Sequence, residues 1–327
     1  PPPYFGGWST MMEAIVERCA GLDVHQETVV ACVLAGPLDR APKSELRTFG
    51  TMTHELEELG EWLTEQGCTQ VAMESTGVFW KPVWNVLEAF EFELVLANAH
   101  HVKNLPGRKT DMKDAEWLAK LLRCGLIESS FVPPVEIREL RDLTRYRRKL
   151  IYNATTEKNR IHKVLQDANV KLTTHMSDIF GTSGRLLLQK IVNDEVVTME
   201  FLQTEMRGAL KHKSPKLLQS LNGRLRKHHR NLIRMSWEHL MYLEQAIEQV
   251  EAETRRRLED KQNALELLIS IPGINEQSAM IILAEIGLDM SQFKSDGHLA
   301  AWAGMCPGNH ESAGKKNEFE PDPVTAS

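Results

Sequence analysis

Residues 19–36, CAGLDVHQETVVACVLAG, decide the fold of the amino-terminal part of the chain. Two apolar runs rich in β-branched residues flank a polar break at residues 25–27, a pattern that predicts a β-hairpin. Asp23 lies inside the first run. Because Asp and Glu are rarely fully buried unless paired or bound to metal, a carboxylate at this position indicates function as well as structure.

The segment after the hairpin alternates between helical and strand-like patterns. Leucines at helical spacing predict a helix over 53–67, and apolar residues at 69–73 and 94–97 predict strands around a tryptophan-containing helix. Strands that alternate with helices imply a sheet with helical cover. We therefore expect an α/β domain over residues 19–134.

Three further carboxylates complete a set with Asp23. Glu74 ends the apolar run QVAMESTG, and Asp111 and Asp114 lie three residues apart in RKTDMKDAEWLAKLL, where both project from one face of a predicted helix. Four carboxylates provide the hard oxygen ligands that Mg²⁺ prefers, and two such ions stabilise the reacting oxygens of a phosphodiester. The alternative for Asp111 and Asp114 is that they are solvated charges favoured by the helix dipole.

The charge of the chain is unevenly distributed. The 327 residues are 42% hydrophobic, enough for two domains, and their formal net charge is -6, yet residues 206–237 hold nine arginines and lysines and no acid. Residues 135–264 are predicted to form two long antiparallel helical arms with a coiled-coil stripe. Their basic faces match a phosphate-backbone binder, although a solvated helix face is the alternative. The candidate nucleic-acid-binding residues are Arg145, Arg147, Arg148, Lys149, Arg160, Arg224, Arg226, Lys227 and Arg230, with Tyr146, Tyr152 and Trp237 as candidate stacking partners.

The carboxy-terminal part carries two weaker patterns. ELLISIPGINEQSAMIILAEIG predicts a helix, a Pro-Gly turn and a second helix; it resembles a helix-hairpin-helix, and an ordinary helical hairpin explains it nearly as well. Ser312 lies in MCPGNHESAGKK, where a serine beside lysines is able to attack phosphorus, but a solvated loop serine is the alternative. His25 and His310 are interpreted as surface residues.

Other features bear on location. The five cysteines are widely separated and form no CxxC pair, which favours a reducing compartment, and we expect the cytoplasm. No apolar stretch reaches the roughly 18 to 20 residues that span a bilayer, so no membrane partner is expected. Residues 1–18 are predicted to be a disordered leader, with Met11 or Met12 as a possible natural start.

Five motifs, in order, carry a resemblance to a known family. GLDVHQETVVACVL, AMESTGVFWKPVWNVLE, KTDMKDAEWLAKLL, SIPGINEQSAMIILAEIG and AWAGMCPGNHESAGKK resemble insertion-sequence transposases that join a RuvC-like DEDD domain to a C-terminal serine domain, a family of bridge-RNA-guided DNA recombinases. The resemblance covers about residues 19–316.

The resemblance implies a fold, a mechanism and partners. It implies an α/β RNase H-like (RuvC-like) domain over 19–134, helical coiled-coil arms over 135–264, and a mostly helical serine domain over 265–316. Asp23, Glu74, Asp111 and Asp114 would bind Mg²⁺ or Mn²⁺, and Ser312 would form a covalent link to DNA at the same composite site. The implied partners are donor and target DNA, a structured noncoding guide RNA, and further copies of the chain, as a tetramer.

The sequence departs from this family after Lys316. The resemblance implies a further basic, glycine-rich stretch and more helices, whereas residues 317–327, NEFEPDPVTAS, are acidic and proline-rich. We therefore expect a truncated serine domain with a disordered tail. Two alternative functions stay open: a RuvC-like structure-specific endonuclease that uses the carboxylates alone, and a non-catalytic nucleic-acid-binding remnant.

Overall fold

The computed structural model describes residues 13–75, 77–104, 114–305, 311–312 and 315–316. The chain divides into two compact units between Val132 and Pro133, two residues before the domain boundary expected from the sequence. The expected tail, and the expected leader as far as residue 12, lie outside the described residues.

Unit 1 is built on a five-stranded mixed sheet in the order β3-β2-β1-β4-β5. The first three strands are antiparallel neighbours, and β1, β4 and β5 run parallel. The predicted hairpin is confirmed as β1 and β2. The strands are β1 (Arg18–Val24), β2 (Thr28–Ala35), β3 (Lys43–Gly50), β4 (Gln70–Glu74) and β5 (Glu93–Ala97).

Sequence reasoning missed β3. Its residues, KSELRTFG, are mostly charged or polar, and only Phe49 is buried. β3 is an edge strand, and exposed edge strands commonly carry charged side chains that discourage pairing with other chains. Because its apolar content is so low, the strand leaves little trace in a hydrophobic pattern.

Helices cover both faces of this sheet. Leu56, Leu59 and Leu63 of α1 are buried, as their spacing predicted, and α1 and α2 pack on one face. Ala115 and Ala119 of α4 pack on the other. This mixed α/β sheet with helical layers fits the RNase H-like DEDD fold that the resemblance implies. The helices are α1 (Thr53–Glu65), α2 (Trp80–Leu87), α3 (Ala99–Asn104) and α4 (Asp114–Arg123).

The end of the expected leader is part of unit 1. The backbone N–H groups of Ile15 and Val16 donate to the carbonyl of Arg123, at 2.8 and 3.2 Å, and Val16 packs against the core beneath α4. Residues 15–17 therefore lead directly into β1 instead of forming a free leader, because α4 offers them both a hydrogen-bond acceptor and an apolar surface.

Unit 2 is helical and contains two long helices. Its elements are α5 (Val135–Asp167), α6 (Thr182–Val192), α7 (Met199–Glu205), α8 (Ala209–His212), α9 (Ser214–Ser220), α10 (Lys227–Arg257), α11 (Gln262–Ile269), α12 (Glu276–Ile286), α13 (Asp296–Trp302), and the short strands β6 (Glu311–Ser312) and β7 (Lys315–Lys316). In the described part of the chain, no helix is both long and apolar enough to cross a membrane.

The two long helices pack antiparallel, as expected. An ion pair joins Arg147 to Glu251 near one end of the two helices, and Asp167 contacts His229 near the other end. Residue numbers therefore increase along α5 in the direction in which they decrease along α10. α10 stops earlier than predicted, at Arg257. The chain turns there because Leu258 is buried in a separate cluster with Leu265. Whether the pair has the packing of a coiled coil stays a prediction.

A buried carboxylate lies between these helices. Glu157 of α5 has a side chain only 4% exposed, and its Oε1 lies 3.0 Å from Nδ1 of His239 and 2.6 Å from Nη1 of Arg160. Burial opposes its ionisation and is the largest single influence, but hydrogen bonds from His239 and Ser236, together with Arg160, outweigh it. The pKa of Glu157 therefore lies below its usual value.

Glu157→Gln should reduce the free energy of unfolding at pH 7 by about 1 to 3 kcal/mol, because it removes a charged hydrogen-bonding partner. A lowered pKa stabilises the fold above the unfolded-state value, near 4.3, and that stabilisation disappears as pH falls through the folded-state pKa. The difference between wild type and variant should thus shrink below about pH 4. Urea unfolding at several pH values measures it, with the exposed Glu248→Gln on α10 as control. A difference that does not change with pH would contradict the assignment.

Candidate active site

Asp23 and Glu74 lie side by side at the carboxyl ends of two parallel strands. Leu22 of β1 pairs with Met73 of β4, so each carboxylate follows a paired residue on a neighbouring strand. Neighbouring strands lie about 4.8 Å apart and alternate residues share a face, which puts both side chains on the same face of the sheet. That face is the one covered by α4, since Cys19 and Ala72, which have the same alternation, belong to its core.

α4 brings a third carboxylate to this edge. Asp114 is the first residue of the helix and is exposed. The carbonyl oxygen of Ala119, farther along α4, lies 3.5 Å from the Sγ of Cys19 in β1, so the helix packs close over this strand. The structure therefore places the three carboxylates that it describes at two strand ends and one helix start.

The electrostatics of Asp23 show that these groups interact. Burial raises the pKa of Asp23, and the nearby carboxylates of Asp114 and Glu74 raise it further, while His25 lowers it. The ionised Asp23 is thus held in an unfavourable environment, next to two other acids. Such an arrangement is typical of a site that a cation completes.

His25 is a site residue that sequence reasoning underrated. Its Nε2 lies 3.2 Å from Oδ2 of Asp23, and the histidine side chain is 61% exposed. The sequence predicts a surface position for His25, and the exposure agrees with it. The signal that was available is the spacing in Asp-Val-His, because residues two apart near a strand end lie on the same face.

Two predicted site residues lie at the limits of the described part of the chain. Asp111 lies outside the described residues. Ser312 is in the short strand β6, where its backbone is paired with that of Lys315 in the antiparallel strand β7. Ser312 and Asp23 belong to different units.

The carboxylates fit a divalent cation by donor type. Carboxylate oxygens are hard ligands suited to Mg²⁺ or Mn²⁺, and Mg²⁺ characteristically uses one or two carboxylates together with waters and substrate phosphate. Asp23, Glu74 and Asp114 do not hold three ligand oxygens within 4.8 Å of one another. Such an open arrangement suits an ion that keeps water and substrate in its shell.

One tighter group of possible ligands occurs among the described residues. Atoms of Asp167, His228 and His229 lie within 4.8 Å of one another. However, the backbone N–H of Arg226 donates to Nδ1 of His229, so the ring proton is on Nε2, which donates to Asp167 at 2.9 Å. A metal-binding histidine instead donates through its other nitrogen. The group is therefore explained as a helix cap that ties α10 to α5.

The structure separates the candidate nucleic-acid-binding residues into two sets. Arg145 makes two 3.0 Å hydrogen bonds to Glu285, and Arg147 lies 2.6 Å from Glu251. Arg160 and Arg230 also pair with acids of unit 2, namely Glu157 and Asp194. The second set is exposed and forms no ion pair with an acid among the described residues: Arg148, Lys149, Arg224, Arg226 and Lys227.

The candidate stacking residues also divide. Tyr146 and Tyr152 of α5 are 53% and 72% exposed, so their rings are accessible. Trp237 is buried, and the guanidinium of Arg185 lies 5.6 Å from its ring centre. The prediction that Trp237 stacks on a base is wrong, because its position on α10 faces the helical core.

Two family models match this chain, one over its amino-terminal part and one near its carboxy-terminal end. Residues 20–170 match a family model for the DEDD transposase of IS110 elements, described as a transposase. Residues 265–320 match a second model, described as "Transposase IS116/IS110/IS902 family". No curated protein matches the chain at a significant level. The first match contains the sheet, the carboxylates and α5, and the second contains Ser312. The chain therefore carries two IS110-family transposase matches and is a DNA transposase or recombinase.

Proposed function

We propose that this transposase is an RNA-guided, site-specific DNA recombinase that cuts and rejoins strands with a serine nucleophile and a Mg²⁺-binding acidic tetrad. The observation that carries the proposal is the placement of Asp23, Glu74 and Asp114 at one edge of the sheet, where Asp114 and Glu74 contribute to the raised pKa of Asp23. The two family matches support it by including that edge and the serine segment.

The proposed division of labour follows from the chemistry of the residues. Asp23, Glu74 and Asp114, with Asp111, hold Mg²⁺ or Mn²⁺, and His25 orients the Asp23 carboxylate. A divalent ion held by these residues would supply Lewis-acid polarisation of the phosphate and stabilisation of developing negative charge. Ser312 gives its hydroxyl proton to solvent, and its Oγ forms a bond to phosphorus as the bond from phosphorus to one sugar oxygen of the DNA breaks. The departing sugar oxygen takes up a proton from solvent and leaves as a strand-end hydroxyl. Because one phosphoester replaces another, an incoming strand end can reverse the step and rejoin the DNA.

The proposed nucleic-acid surface is the outer side of α5 together with the start of α10. Between Asp142 and Asp167 the one acidic residue is Glu157, which is buried, so the exposed side of this stretch carries only basic and neutral groups. Arg148, Lys149, Tyr146 and Tyr152 are exposed there. This surface suits contact with a phosphate backbone and unpaired bases, as a structured guide RNA would provide.

The start of α10 supports the same proposal. Arg224, Arg226 and Lys227 lie at its amino-terminal end, and its first turn has no acidic residue. Positive charge at this end of a helix opposes the helix dipole, so the charges of these side chains do not stabilise the helix. A phosphate would benefit from both the side chains and the dipole. Assembly as a tetramer is part of the proposal and rests on the resemblance.

A suicide DNA substrate tests the serine mechanism. The full-length protein, purified with its co-purifying RNA, should form a covalent adduct in Mg²⁺ that survives denaturation and maps by mass spectrometry to Ser312. Ser312→Ala should abolish the adduct, and Ser291→Ala, an exposed serine elsewhere in unit 2, should not. Adduct formation by Ser312→Ala would remove this serine from the mechanism.

A second candidate is an endonuclease that uses the carboxylates alone. It is favoured by the fact that Asp23, Glu74 and Asp114 all lie in unit 1, so this unit holds three of the expected ligands itself. Mg²⁺-dependent nicking of branched DNA that persists in Ser312→Ala and is lost in Asp23→Ala would establish it.

Sequencing of the RNA that co-purifies with the protein tests guidance separately, because RNA guidance predicts one defined noncoding RNA species.

A further inference from the structure

Gly21 makes an unusually close contact between β1 and α4. A methyl group built on Gly21 would lie 2.3 Å from the carbonyl oxygen of Ala115 and 2.4 Å from the backbone nitrogen of Ala119. Both distances are far below van der Waals contact. The obstructing atoms belong to the helix backbone, so no side-chain rotation can relieve them; the whole helix would have to move.

The place of this contact relates it to the carboxylates. Gly21 is two residues before Asp23 on the same face of β1, and Ala115 follows Asp114 directly at the start of α4. The distance between strand and helix at Gly21 therefore determines how close Asp114 lies to Asp23. A helix displaced by about 1 Å, the shift that a methyl group would require, would carry Asp114 with it.

The contact between Gly21 and α4 differs from the ordinary close packing of a glycine in the core. Gly60 of α1, on the opposite face of the sheet, is as crowded: a methyl group there would lie 2.3 Å from the ring of Phe90. That neighbour is the end of a side chain, which can rotate away. Gly60 thus serves core packing, whereas Gly21 sets the height of a helix backbone above the residues of the site.

We infer that Gly21 is a positioning residue for metal binding: its missing side chain lets α4 approach β1 closely enough for Asp114 and Asp23 to share one cation. This inference rests on the proposed function, because it assumes that these carboxylates hold a divalent ion. It goes beyond that proposal by assigning the spacing of the ligands to a residue that has no ligand atom.

Mn²⁺ binding to the full-length protein, measured by electron paramagnetic resonance without DNA, tests the inference. Gly21→Ala should weaken Mn²⁺ affinity by about 10- to 100-fold, the range typical for loss of a supporting contact around a metal. Gly60→Ala, which adds the same group in the same unit, should leave affinity within about twofold of wild type. The thermal midpoint of each variant is recorded beside its affinity.

The possible results distinguish the positioning role of Gly21 from the existence of the metal site itself. If wild type does not bind Mn²⁺ and Asp23→Asn changes nothing, the metal site itself is refuted. If wild type binds and a folded Gly21→Ala binds equally well, Gly21 has only a packing role. Should Gly21→Ala fail to fold, Ala119→Val lifts α4 through a side chain instead, and unchanged Mn²⁺ affinity in that variant would equally overturn the inference.

Discussion

Asp23→Asn is expected to reduce Mg²⁺-dependent DNA strand cleavage by about 1000-fold or more. An amide is neutral and a weak ligand for Mg²⁺, and even the loss of a supporting partner around a metal typically costs about 10- to 100-fold. Asp23 is the carboxylate whose charge interacts with both Glu74 and Asp114, so its loss removes the centre of the acidic group. Single-turnover cleavage of a labelled DNA substrate measures the effect.

The same substitution should stabilise the metal-free protein. Burial and two neighbouring acids raise the pKa of Asp23, so its ionised form destabilises the fold at neutral pH. Asparagine removes that charge, and we expect the thermal midpoint in EDTA to rise by about 1 to 3 °C. A raised pKa means that protonation relieves the repulsion as pH falls, so the advantage of the variant should disappear on acidification to about pH 4.

Asp39→Asn provides the matched control. Asp39 lies between β2 and β3, its side chain is 74% exposed, and it belongs to the same unit. It should change neither cleavage nor thermal stability measurably. An Asp23→Asn protein that cleaves DNA at the wild-type rate would show that the carboxylate has no role in a metal site. A variant less stable than wild type in EDTA would instead contradict the unfavourable environment of the ionised Asp23.

Arg123→Ala should destabilise unit 1 by about 3 to 5 kcal/mol, which is exceptionally large for a single substitution. The Arg123 side chain is buried, and its guanidinium donates to four backbone carbonyls. It reaches Val16 and Glu17, just before β1, at 2.9 Å each, and Gly36 and Pro37, just after β2, at 3.1 and 2.8 Å. Removing it leaves the carbonyls of Val16, Gly36 and Pro37 without this donor, whereas Glu17 keeps the backbone N–H of Gly36, and it releases the end of α4.

Urea unfolding followed by hydrogen exchange of β1 peptides measures this effect within unit 1. Arg123→Lys should retain only part of the stability, because one ammonium group cannot reach carbonyls on two segments as a planar guanidinium does. Arg40→Ala, an arginine 79% exposed in the same unit, should stay within about 0.5 kcal/mol of wild type. A loss at Arg123 no larger than that at Arg40 would refute the anchoring role.

Arg123 and Gly21 act on the same helix from different positions. Arg123 ties the last residue of α4 to the segments that flank β1 and β2, and Gly21 lets the first half of the helix approach β1. Asp114 at the start of α4 therefore has its place determined by two residues that the sequence did not single out. A lone buried arginine and a glycine inside a strand have no periodic pattern.

Much of unit 1 could be predicted from sequence because its signals are local. The hairpin of β1 and β2 follows from apolar runs around a polar break, and α1 follows from leucines at helical spacing. The positions of Asp23 and Glu74 at strand ends follow from the same runs. The edge strand β3 could not be predicted, since its exposed residues do not need an apolar pattern.

The nucleic-acid surface shows the opposite case. The basic block was evident from sequence, but which cations are accessible was not, because the pairing acids are distant along the chain. Arg145 pairs with an acid 140 residues away and Arg147 with one 104 residues away. Trp237 likewise lies in a basic stretch and is buried. Only the packed helices distinguish structural arginines from exposed ones.

By itself, the sequence determined the types of chemistry present: an alternating sheet domain, carboxylates placed against apolar strands, an acid-free basic stretch, and a serine motif whose order with the others indicates a transposase. These patterns can be recognised in the sequence because they depend only on residue type and short-range spacing. Tertiary structure decided which groups act together. The approach of α4 to β1 at Gly21 and the pairing of arginines with distant acids are relations between segments far apart in the chain, and they exist only once those segments pack.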